Sequence, residues 1–206
     1  MSSSEPSYPT AAGAPETPLR ESPAKRPRTV LAGPYGHPFH PILVTVPIGA
    51  WVSVLVFDIA SRVSNDYGSA LARGSFLLLC IGLVTALLAA VFGTMDLMGI
   101  PSRTPAASTA LTHMALNTLV LVVMAISALV RQDQGLDEVR TLPLVLTVIG
   151  LLLLGGSGFL GGKLSYHYGV RVAAEKDQIS GYTRRPDPVD PGPGATSDGD
   201  VPSRRH

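Results

Sequence analysis

His37 and His40 sit in the run GHPFHPILVTVPIGAW, residues 36–51, where the chain is about to lose its polar side chains. Imidazole ligates metals through either ring nitrogen and titrates near neutral pH. The pair can therefore serve as ligands or handle protons. Pro41 suits a first helical position, where its missing N–H would be unpaired anyway. Pro38 keeps His37 extended, so the motif also reads as a plain helix start with interfacial anchors. His113 is the stronger candidate, because it interrupts an apolar run with Thr109 and Asn117 four residues to either side. That spacing puts all three on one helical face, where Asn117 can orient the ring. An ionisable group at such depth is costly and usually faces the protein interior. A buried histidine joining helices is the plain alternative to a metal, haem or proton-relay role.

Two further groups belong with these. Asp96 ends a stripe of small residues just before Pro101. It reads either as a solvated helix end or as the acceptor that orients a working His113. His167 lies in GGKLSYHYGVRV, residues 161–172, an aromatic and basic segment suited to anchoring at an interface. Asp58 and Arg62, four residues apart, read as an ion pair along one helix.

The elements that must position these side chains are long and uncharged. Only 15% of residues are charged, against about 25% in a typical soluble protein. Charge-free windows cover Pro41–Phe57 (extending to about Ala60 past Asp58), Gly74–Met95, Leu111–Val130 and Thr141–Gly162. About 20 apolar residues cross a ~30 Å hydrocarbon layer as a helix. Four spans are expected, at about 42–60, 74–95, 111–130 and 141–162, within a transmembrane domain over 36–172. Residues 1–35 and 173–206 are rich in Ser, Pro, Gly and Asp and read as disordered tails.

Four spans put both termini on one side. Lys25, Arg26, Arg28, Arg103, Lys163, Arg171 and Lys176 would share that side, against Arg62, Arg73, Arg131 and Arg140 on the other. The excess places both termini in the cytoplasm, in a bacterial inner membrane. His40, Asp96, His113 and His167 then gather at one membrane face, whichever way the chain is oriented.

Small residues recur along three spans: Thr45, Gly49 and Ser53; Gly82, Ala86, Ala89 and Gly93; Gly155, Gly158 and Gly162. Such stripes let helices approach closely in lipid. They serve a tight bundle, or a slot for a flat cofactor. GSGFLG at 156–161 matches the dinucleotide pattern, but it lies inside an apolar run with no preceding strand and is rejected. The single cysteine, Cys80, reads as apolar filler. No C-x-x-C-H, cysteine pair or H-E-x-x-H is present, and no basic face supports nucleic-acid binding.

H-P-F-H-P before a span, Gly93-x-x-Asp96 with Pro101, His113-x-x-x-Asn117 and GGKLSYHYGV resemble a bacterial family of four-span membrane proteins, domain of unknown function twenty-two thirty-one. The resemblance covers roughly Gly36–Val172. It implies fold and location but no reaction. Members fused to Rieske-type or cytochrome-like segments imply a redox neighbourhood.

The expected protein is all-α, a four-helix transmembrane bundle in a lipid bilayer. The leading functional expectation is a redox component binding haem b or a metal ion. His40 and His113 would be ligands, with His37 and His167 as further candidates and Asp96 and Asn117 in support. The alternatives are a proton-linked transport module, which needs a homo-oligomer, and a non-catalytic subunit or assembly factor. A redox partner goes with the first.

Overall fold

The computed structural model describes residues 39–172. The two expected tails and His37 lie outside the described residues. Those described form four helices long and apolar enough to cross a membrane, and no strand is found among them.

The first span opens with a short turn, α1 (His40–Leu43), and continues as α2 (Thr45–Val63). Pro41 lies in the first turn of α1, where proline is tolerated. The helical pattern breaks at Val44, one turn before Pro47, whose ring removes a backbone donor. The second span, α3 (Gly68–Leu97), and the third, α4 (Pro105–Gln134), have 30 residues each. Both overrun the ~20 residues that cross hydrocarbon, so their polar ends stand clear of it. Thr104 caps α4 by accepting from the Ala107 N–H at 3.1 Å, with Pro105 following in the first turn. The fourth span, α5 (Thr141–Gly162), runs on into a π-helical turn, Lys163–His167.

The outward faces are apolar. Val46, Val52, Val56, Leu77, Val84, Leu88, Leu129 and Leu152 are among many exposed large hydrophobics. Their surround is lipid, while a set of polar side chains points inward. Among those, Asp58, Ser75, Ser127 and Thr147 are fully enclosed.

Helices α2 and α3 pack as one hairpin, and α4 and α5 as a second. The two hairpins repeat the same contacts. His40 and His113 are 73 positions apart, as are Trp51 and Met124, Val54 and Ser127, and Asp58 and Arg131; all but the histidines are buried. On the returning helices, Ser75, Leu79, Gly82, Ala89 and Gly93 correspond, 68 positions on, to Pro143, Thr147, Gly150, Ser157 and Gly161. In each hairpin a bulky side chain fills the space that a glycine leaves: Trp51 against Gly82, Met124 against Gly150. The repeat lies in the packing, since the paired residues mostly differ in type. Parallel repeats of this kind are related by an axis along the membrane normal.

The stripes are only partly as expected. Gly82 and Ala89 are buried, and Gly93 meets the His40 ring. Gly49, Gly155 and Gly158 are exposed and have open space where a Cβ would stand. Neither the first nor the fourth span packs through its stripe. The glycines that matter are those facing a large side chain on the partner helix.

Candidate functional site

Both histidines are held in the same way. His40 Nδ1 donates to the carbonyl of Ala89 at 2.9 Å, and His113 Nδ1 donates to the carbonyl of Ser157 at 2.8 Å. A carbonyl only accepts, so the proton lies on Nδ1 in both rings. Each ring then rests on the glycine one turn beyond its carbonyl. A Cβ at Gly93 would come within 2.9 Å of His40 Cε1, and one at Gly161 within 3.2 Å of His113 Cε1. Phe39 fixes the entry of the first span, with its ring edge-on to Phe92 at 5.6 Å.

The two imidazoles meet between the hairpins, ring centroids 6.4 Å apart and planes perpendicular. Around His113 the hydrogen bonds close a cycle. Ser157 Oγ donates to Asn117 Oδ1 at 2.9 Å, and the Asn117 amide donates to His113 Nε2 at 3.0 Å. Ser157 Oγ also lies 3.0 Å from His113 Nδ1. Among the described residues, His40 Nε2 makes no hydrogen bond.

Two chambers adjoin at these rings, and His40, His113, Asn117 and Gly161 line both. The deeper one, about 320 Å³, reaches Pro47, Trp51 and Val120. The other, about 250 Å³, runs to the end of the bundle and is bounded by Leu97, Asp96, Val170 and Arg171.

The sequence-predicted residues thus divide. The fold brings His40, His113, Asn117 and Asp96 to one cavity. Asp96, however, accepts from Arg171 Nε at 2.8 Å, and among the described residues it makes no hydrogen bond to His113. His167 lines neither chamber; it is exposed, with its ring 4.8 Å from that of Tyr168. No cluster of three or more His, Cys, Asp or Glu suited to a metal ion occurs among the described residues.

Three participants escape a reading of the sequence. Ser157 sits unremarked in an apolar run, and its carbonyl orients His113. Arg171 reads as a flank charge, yet its side chain is only 4% exposed. Its φ of +60° in a non-glycine residue marks a strained backbone two residues after Gly169 at +67°.

The third is Arg131, at the far end of the bundle. The four-residue spacing predicts a pair between Asp58 and Arg62, and the structure pairs neither with the other. Arg62 reaches Thr141 Oγ1 at 3.4 Å, while Asp58 takes both Nη atoms of Arg131, at 2.9 and 2.6 Å. Ser75, Ser127 and Thr147 complete the shell around the guanidinium, so all four spans contribute. Asp58 lies on the interior side of α2, and Arg62, one turn on, is already at the surface.

Between this ion pair and the histidines lies an apolar layer of Trp51, Val54, Leu79, Val120 and Met124. The polar groups therefore form two separate centres.

The family model described as "Predicted membrane protein (DUF2231)" matches residues 36–174, about two thirds of the chain. No curated protein and no solved structure matches.

Proposed function

The chain belongs to the predicted membrane protein family of unknown function twenty-two thirty-one, and from that premise we propose a membrane redox component that holds haem b between its hairpins, with His40 and His113 as the residues that would bind its iron. One observation carries the reading. Two imidazoles at equivalent positions of a repeat each give Nδ1–H to a backbone carbonyl, which turns Nε2 into the ligating atom. Ligating histidines are held in this way, because the carbonyl fixes both tautomer and ring direction. The two rings lie 6.4 Å apart, centroid to centroid, so one metal centre held by both would need no large movement of the hairpins. Haem needs only two protein ligands, which suits a site where the described residues bring two imidazoles together. The adjoining chambers supply room beside the pair, on the scale of cofactor pockets at roughly 300–1,000 Å³.

His40 Nε2 is available for ligation. His113 Nε2 is held by Asn117, whose amide would have to rotate away. Bound haem would supply one-electron chemistry; the residues themselves would bind and orient it. Under the same reading the histidine end lies at the cytoplasmic face of the inner membrane and meets a redox partner there. The apolar layer between the two polar centres speaks against a proton path through the monomer.

The test is an optical spectrum of the detergent-purified protein, dithionite-reduced minus oxidised, with a metal assay on the same sample. A haem band lost in both His40→Ala and His113→Ala supports the assignment. A featureless spectrum without stoichiometric iron, from cells supplied with haem precursor, overturns it.

A further inference from the structure

Arg171 and Arg131 are both buried arginines, and they differ in one respect. Arg131 has every nitrogen engaged, by Asp58, Ser75, Ser127 and Thr147. Among the described residues Arg171 spends only Nε, on Asp96. Among the described residues, Nη1 and Nη2 are buried with no partner at all. A buried guanidinium with four unused N–H donors is costly, and native interiors rarely leave such groups unpaired. The backbone there is strained as well, with Arg171 at φ +60°. Strain of that kind persists where the surroundings impose it, commonly at ligand sites.

Arg171 borders the 250 Å³ chamber. Most of that lining is apolar, including Leu97, Ile100, Met114, Leu121, Leu164 and Val170. We infer that this chamber binds the acid end of an apolar-bodied ligand, with a carboxylate or phosphate received by the two Nη atoms of Arg171. The planar fork matches both groups, which accept two parallel hydrogen bonds from it. Asp96 holds the guanidinium by Nε, so the two Nη groups are the donors left for a ligand in the adjoining chamber. Thr94 and Ser165 add hydroxyls to the same lining. The inference rests on the donors of Arg171 alone and does not require the histidines to ligate a metal. A haem propionate and a lipid acid group both fall in the class.

Native mass spectrometry of the full chain, released from nonionic detergent, tests it with four probes: lauric acid, lauryl phosphate, lauryl alcohol and inorganic phosphate. The wild type should retain one lauric acid or lauryl phosphate per chain. Arg171→Gln should weaken both about tenfold, the scale of a lost charged hydrogen bond. Arg171→Lys should fall between, because it keeps the charge and loses the fork. Lauryl alcohol should not be retained by any of them. Acid retention by wild-type protein whose spectrum shows no haem band leaves this inference standing when the haem assignment fails. Equal retention of acid and alcohol, or unchanged retention in Arg171→Gln, overturns the inference. Inorganic phosphate binding as tightly as lauryl phosphate overturns the apolar-bodied ligand and leaves a free-anion site. If Arg171→Gln does not fold, Arg171→Lys and the double variant Asp96→Asn with Arg171→Gln, which removes the pair together, give the same comparison.

Discussion

Asp58 and Arg131 lie 73 residues apart and meet through two hydrogen bonds of 2.9 and 2.6 Å, with side chains 0% and 4% exposed. They fasten the first hairpin to the second. Breaking a buried pair by removing one partner strands the other charge, at about 3–5 kcal/mol. Asp58→Asn and Arg131→Met should each lower stability on that scale in detergent unfolding. The double variant Asp58→Leu with Arg131→Met should recover at least about half of the loss, because no charge is then stranded. Additive losses would show that the pair does not act as a unit.

The two glycines under bulky side chains should differ in tolerance. A Cβ at Gly82 overlaps the Trp51 indole, a rigid ring whose Nε1 already donates to the Leu79 carbonyl. A Cβ at Gly150 meets the Met124 terminal methyl at 2.5 Å, the loose end of a flexible chain. Gly82→Ala should cost about 1–3 kcal/mol, the range for overpacking. Gly150→Ala should cost less, and the order of the two unfolding midpoints checks it.

At the histidines the same comparison reads position in place of stability. Gly93→Ala should push the His40 ring off its seat, since the new methyl lies 2.9 Å from Cε1. Gly161→Ala, at 3.2 Å from His113 Cε1, asks for a smaller movement. Carbethoxylation with mass-spectrometric readout should show faster modification of His40 in the first variant and little change at His113 in the second. Equal, unchanged rates would mean that the glycines do not seat the rings.

Asn117 separates a histidine that serves a ligand from one that serves the fold. Its amide holds the Nε2 lone pair of His113 at 3.0 Å. If that atom ligates iron, Asn117→Ala frees it, and haem occupancy should hold or rise while His113→Ala abolishes it. If the ring exists to join helices, Asn117→Ala should instead lower stability by about 1 kcal/mol, a lost hydrogen bond, with no spectral consequence. Occupancy and melting temperature, measured on one preparation, distinguish the two.

The four spans are legible in the sequence because an uncharged run of about 20 residues fits a bilayer crossing and little else. The gathering of His40, Asp96 and His113 follows from counting which end of each span they occupy. What stays hidden depends on rotation about a helix axis and on partners far along the chain. Arg131 and Arg171 end or follow apolar runs, where a charge reads as a flank facing water; their burial is set by side chains on other helices. Asp58 illustrates the same limit, since spacing of four residues proposes Arg62 and only the packing decides for Arg131. One signal was within reach. Trp51 and Met124 keep the spacing of His40 and His113, and Gly82 and Gly150 keep that of Gly93 and Gly161, although the residue types mask the repeat.

The Asp58–Arg131 pair has a consequence for how such a molecule recognises itself. The pair occupies one position of the repeat twice, once as an acid and once as a base. Two copies of the first hairpin brought together in the same way would confront carboxylate with carboxylate; two copies of the second, guanidinium with guanidinium. Either assembly would bury like charges in a medium that screens them poorly. Each hairpin is thus complementary to the other and repelled by its own kind, so that cut apart and made as separate chains they would sort into mixed pairs.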